Sequence, residues 1–238
     1  MEYIKDFITV YKKAGKDTLK VISKSPLLIG IPVLLSLVYG LILTLFVNLN
    51  IGPAGRFMGI IIGLIEAMLL SGYFSALEDG INYNRMNLNS VTDGFLQYIW
   101  SIYFMRFVFF IISMFSGGLL NNPLIIIVVF IILNPAGEGI YLRNTYGMEV
   151  FTYPLNYLKD NWYLWIPHVL IFILLSRVTY LGLNMNPLNM YLNPIYIGRL
   201  DKVIPILLLG IYFIFRGVLF KETRNSTMRK RKYMGINW

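Results

Sequence analysis

The chain has 238 residues, is 57% hydrophobic and only 14% charged, and carries a net charge of +9. Soluble domains carry about 25% charged residues, so this balance and a mean hydropathy of +0.63 exclude an ordinary water-soluble core. The absence of cysteine excludes disulfides, thiol catalysis and thiolate metal sites, and the single histidine, His168, excludes a multi-histidine metal site.

Residues 1–26 read as a cytoplasmic arm. They lack the short charged region and apolar core of a cleavable signal peptide, so the first hydrophobic segment is expected to be retained. Ile4, Phe7, Ile8, Tyr11, Ala14 and Ile22 fall on roughly one helical face, with lysines around them. That pattern predicts an amphipathic helix lying on the cytoplasmic leaflet. Residues 27–220 then predict an all-α, polytopic membrane domain with six spans, near 27–47, 57–77, 98–115, 123–142, 162–181 and 204–220. Residues 221–238 form a basic cytoplasmic tail.

The basic residues set the orientation. With the N-terminus inside, fifteen lysines and arginines fall on the cytoplasmic side and three outside. This bias predicts a multi-pass protein of the cell membrane with both termini cytoplasmic. In the tail segment "MRKRKY", Arg229, Lys230, Arg231 and Lys232 are the expected contacts to anionic lipid. Lipid accounts for the net charge, and nucleic acid is not needed to explain it.

Two spans carry charges at depth. Glu66, in "IIIGLIEAMLLSGYF", and Arg106, in "IYFMRFVFF", lie on consecutive spans. A charge at such depth costs roughly 2.5–3.5 kcal/mol on insertion scales, so a reciprocal pair would lower both costs. Such a pair could fix helix packing or belong to a polar path. The fourth span raises a different question, because its apolar run ends in "FIILNPAGEG". Pro135 removes a backbone donor after Asn134, and two glycines flank Glu138. Two readings stand open. Either the helix forms a kink or unwound corner with the Glu138 carboxylate inside the membrane, with His168 and Arg177 as available partners, or the span ends near Leu133 and Glu138 is solvated. The candidate polar site is therefore Glu66, Arg106, Asn134, Pro135, Glu138, His168 and Arg177.

A second pattern is repetition. "LNSVTDGFLQYI" (88–99) and "LNYLKDNWYLWI" (155–166) match at an offset of 67, which also pairs Gly72 with Gly139 and Gly80 with Gly147. The offset predicts a parallel duplication of a two-helix unit, 57–115 and 124–182. In each copy a cytoplasmic linker offers Asn89 and Asp93, or Asn156 and Asp160, with the aspartate expected to cap the helix that follows.

The basic start, "KSPLLIGIPVLLSL" and the two segments ending "SVTDGF" and "YLKDNW" resemble a broad group of prokaryotic six-span proteins to which the YciC-like family belongs. That group includes the non-catalytic membrane domain attached to some glycerophosphodiester phosphodiesterases. The resemblance implies six spans and brings no catalytic residues with it. No phosphate-binding loop, metalloprotease helix or nucleophile elbow occurs. The loop methionines Met185 and Met190 read as apolar capping of the bundle rather than a Cu(I) site. The expected function is non-enzymatic and without cofactor. It is either a transporter-like protein or the membrane subunit of a transport or export complex working with a cytosolic ATPase. The alternative is a structural or regulatory membrane partner without a permeation path. Other membrane subunits, or a second copy of the chain, are the remaining partner classes.

Overall fold

A computed structural model describes residues 2–48, 55–115, 122–179, 186–196 and 198–233. Among these the chain is helical, with ten α-helices and no strand: α1 Glu2–Lys24, α2 Leu27–Asn48, α3 Gly55–Tyr83, α4 Leu88–Asp93, α5 Ile99–Phe115, α6 Pro123–Leu133, α7 Ala136–Arg143, α8 Glu149–Thr179, α9 Val203–Thr223 and α10 Met228–Tyr233. Short 3-10 turns follow α4 and precede α9, and another occupies Pro187–Met190.

Asparagine sets many of the boundaries. The Asn87, Asn122 and Asn186 side chains accept from the backbone amides two residues on, opening α4, α6 and the Pro187 turn. At Asn122 and Asn186 the next residue is proline, whose missing N–H costs nothing in a first turn. Asn84 and Asn144 instead sit at φ 52° and 56°, immediately after α3 and α7. Asparagine tolerates this left-handed geometry better than bulkier residues, so it stops both helices.

Among the described residues, four helical stretches are long and apolar enough to cross a membrane: Leu27–Phe46, Met58–Tyr83, Pro123–Arg143 and Leu200–Thr223. A fifth candidate is a bent pair, Leu88–Leu96 with Ile99–Phe115, angled at 57°. The expected third span is therefore the long arm of a broken element. α8, which holds the expected fifth span, is not among these stretches; Pro154, a non-helical Asn161 and Pro167 interrupt it. Large apolar side chains stay exposed on the outer faces, among them Leu34, Leu41 and Leu45 of α2 and Ile204 and Leu208 of α9. Apolar surface of this extent suits a membrane environment.

The core is centred on α3, whose Ala67, Leu70, Phe74 and Leu77 are each fully buried. Their spacing puts them on one helical face. α2 and α9 pack together, and α3 packs on α2 and α5. The amphipathic arm forms as expected, but it docks on protein. Asp6, Val10, Ala14, Thr18 and Val21 of α1 are buried, mainly against α9. Phe7, Tyr11 and Ile22 are partly buried against the same core, whereas Ile4 and Ile8 remain exposed.

The segment 186–196 does not lie on the surface as an ordinary loop. Pro187, Leu188, Met190, Tyr191, Leu192 and Ile195 are buried. Its Ile195 N–H donates to the Ser36 carbonyl of α2 at 3.0 Å. Gly40, one turn further along, is needed here because a methyl group would strike the Ile195 carbonyl.

The two segments aligned at an offset of 67 take different forms. Gly80 lies inside α3, whereas Gly147 sits in a turn at φ 54°. The capping expectation is corrected for Asp93. Asp93 is the last residue of α4 and makes no side-chain capping bond to the 3-10 turn that follows. Asp160 directly precedes the non-helical Asn161 that divides α8. Asn89 contributes backbone groups to α4, and Asn156 accepts from Lys159 Nζ at 3.3 Å.

Candidate polar site in the bundle core

The "NPAGEG" stretch keeps a helical path through its break. Asn134 is helical at φ −52°, ψ −41°, and Pro135 shifts to φ −83°, ψ 9°. The Gly139 N–H then donates to the Pro135 carbonyl at 3.0 Å, restarting the helix as α7. The feature is a one-turn kink, one of the two forms expected for the break, and the apolar stretch continues past Leu133 to Arg143. Glu138 is fully buried, so the solvated reading is overturned.

The partner of Glu138 is Arg216 of α9. Arg216 Nε donates to Glu138 Oε1 at 2.8 Å and Nη2 donates to Oε2 at 2.9 Å, with neither side chain exposed to solvent. This is the two-pronged geometry in which guanidinium and carboxylate match best. The kink adds a third bond, because Arg216 Nη2 also donates to the Asn134 carbonyl at 2.7 Å. The inserted segment closes the site. Tyr191 Oη donates to Glu138 Oε1 at 2.8 Å, and Arg216 Nη1 points to Met190 Sδ at 3.4 Å. Gly137 makes room for this approach, since a methyl group there would lie 2.7 Å from Tyr191 Oη. The guanidinium also lies over Trp165 at 5.2 Å and Tyr212 at 5.6 Å, a position favourable to a cation. Trp165 Nε1 in turn donates to Asn134 Oδ1 at 3.0 Å.

The expected site residues divide into separate groups. Asn134, Pro135 and Glu138 build the centre just described. His168 is buried nearby but does not bond to Glu138. Its Nε2 faces Tyr11 Oη of α1 at 3.1 Å, while its backbone carbonyl accepts from Tyr212 Oη at 2.8 Å. His168 thus links the arm to the core around Arg216. The Arg177 side chain lies outside the described residues. Glu66 and Arg106 form a pair of their own, with Arg106 Nη1 donating to Glu66 Oε2. Nε and Nη2 of Arg106 are buried without a hydrogen-bond partner.

Sequence reasoning missed Arg216, Tyr191 and Trp165. The available signal for Arg216 was a lone cation in "IYFIFRGVLF", with no acid nearby on its own helix. The expected outer-loop methionine Met190 is buried against Arg216; Met185 lies outside the described residues. Among the described residues no cluster of three His, Cys, Asp or Glu side chains could hold a metal ion.

A second buried pair ties the chain's ends together. Arg231 Nη2 of α10 donates to Asp6 Oδ2 of α1 at 2.7 Å, with each side chain 2% exposed. Tyr163 also donates to Asp6, and Arg231 Nη1 reaches Asn161 Oδ1 at the α8 break at 3.1 Å. The lipid-contact expectation is corrected for Arg231, which is consumed by Asp6; Lys232 pairs with Glu2 at 2.6 Å and stays exposed. Arg229 and Lys230 stay exposed. No family model matches the chain, and neither does any curated protein or solved structure.

Proposed function

We propose that the chain is a non-enzymatic integral membrane protein with six spans and both termini cytoplasmic, and that it works as a transporter-like protein or as the membrane subunit of a transport or export complex. The fifth span comes from the second half of α8, and the parallel two-helix repeat underlies the pattern of spans. The observation that carries the transport reading is the Glu138–Arg216 centre. It sits between a kinked membrane helix and a non-helical segment inserted into the bundle. A buried pair of this kind is seldom needed for stability, because well-packed apolar residues often serve as well or better. Helix breaks with polar groups at membrane depth point to sites where solute or ions pass. In this conformation the segment 186–196 holds the centre shut.

A second reading has an observation of its own. The Glu138 and Arg216 charges are bonded to protein on several sides and fully buried, which would also suit a structural or regulatory partner with a permanently locked core. Water access separates the two. The chain lacks cysteine, so a single Met190→Cys variant reports on the centre alone. Transport predicts that it reacts with a small, charged thiol reagent in native membranes, while Phe172→Cys, a buried apolar control, does not. Labelling of Met190→Cys no faster than the control would reject transport and leave the partner reading.

A further inference from the structure

Ion pairing sorts the basic end of the molecule. Lys13, Arg231 and Lys232 are neutralised by Glu222, Asp6 and Glu2. Lys159, Arg224, Arg229 and Lys230 have no carboxylate in an ion pair among the described residues. These four line two adjoining cavities of about 280 and 420 Å³, which meet at Asp160 and Thr227 between the α8 break and the α9–α10 turn. The first holds Arg224 and Lys230, with Asn156, Asn161 and Ser226 supplying neutral polar groups. The second holds Lys159 and Arg229, with Tyr3 and Trp162 on its wall. Asp160 is the one carboxylate in the linings, so cations outnumber it.

Trp162 also begins a stripe along α8. Trp162, Ile166, Leu170 and Leu174 are exposed by 52%, 42%, 60% and 66%. Their four-residue spacing keeps them on one side of the helix. The stripe covers about 18 Å at 1.5 Å per residue. That exceeds the roughly 15 Å of hydrocarbon in one leaflet, half of a core about 30 Å thick.

We propose that this corner binds one anionic phospholipid, with the headgroup phosphate received by Lys159, Arg229 and Lys230 and an acyl chain laid along Ile166, Leu170 and Leu174. The assignment rests on the membrane reading above. Charge selects an anionic headgroup over a zwitterionic one, and the stripe selects a lipid over a free anion. Trp162 stands where the two parts of the ligand join, at the level aromatic side chains favour.

The test uses the full chain in phosphatidylcholine bilayers containing a small, equal fraction of acyl-brominated phosphatidylglycerol or acyl-brominated phosphatidylcholine. Bromine quenches tryptophan on contact. Brominated phosphatidylglycerol should quench more strongly, and Trp162→Phe should remove the excess. In Arg229→Gln and Lys230→Gln the preference should fall by about five-fold for each cation removed. Equal quenching by the two lipids, or an excess that survives the double glutamine variant, would overturn the site. Loss of the excess on adding inorganic phosphate at constant ionic strength would show a soluble-anion site and overturn the lipid assignment. A chain quenched by neither lipid has not entered the bilayer, and that result overturns the membrane reading itself.

Discussion

Glu138 and Arg216 are fully buried, whereas Glu66 and Arg106 keep 15% and 14% of their side-chain surface exposed. The two pairs should therefore respond differently to loss of the acid. Glu138→Gln leaves a guanidinium uncompensated in the core, which costs about 3–5 kcal/mol. Glu66→Gln leaves a guanidinium that is only partly buried, and removing one hydrogen-bond partner there should cost about 1–3 kcal/mol. Unfolding of each variant in detergent, compared with the parent, measures both, and the Glu138 variant should be the less stable. The pair on consecutive spans was legible in the sequence, because neighbouring antiparallel helices bring such residues together. The partner of Glu138 was not. Arg216 lies 78 residues further along the chain, and only the packing of α7 on α9 brings it near. Tyr191 was hidden for a related reason: a stretch rich in asparagine and proline reads as surface loop, and nothing local says that it folds inward.

At the scale of elements, α1 was legible as an amphipathic helix but its docking was not. Asp6 lies among lysines in sequence and would pass for a member of the solvated face, yet it is the anchor for Arg231. Asp6→Asn should release α10 from α1 and the α8 break. With a loss of about 3 kcal/mol for a broken buried pair, limited trypsin should trim the tail on the order of a hundred-fold faster, since cleavage follows the open population when reclosing is fast. Lys232→Gln removes an exposed pair and should leave the rate nearly unchanged. Acid acts on the same junction. The hydrogen bond and charge of Lys232 hold the Glu2 carboxyl below its usual range. A depressed carboxylate contributes above its unfolded value and is lost as pH falls through the folded one, so this contact loosens only in acid. The α6–α7 break shows the limit of reading proline and glycine as punctuation. Pro135 does interrupt the helix, but the guanidinium takes the Asn134 carbonyl and the chain continues in helical form.

At the scale of the whole molecule, four expected spans coincide with apolar helical stretches in the structure because hydropathy over some twenty residues is a strong signal. The third appears as a bent pair, since the two-residue join after Leu96 does not continue the preceding axis. α8 joins a polar first half to an apolar second half across Asn161, so composition alone cannot say where it meets a membrane. What unites these elements is the centre where α7, α9 and the inserted segment meet, and its role is open to direct test. Replacing both charges at once, Glu138→Met with Arg216→Met, removes the pair without stranding either partner. The double variant should be more stable than Glu138→Gln, because no charge is left unpaired, and somewhat less stable than the parent, because the Tyr191 hydroxyl and the Asn134 carbonyl each lose a hydrogen bond. If the centre is the polar element of a transport path, a folded double variant should nevertheless fail to complement loss of the native protein in its own cell. Full complementation by that folded variant would contradict the account and reduce Glu138–Arg216 to a packing device.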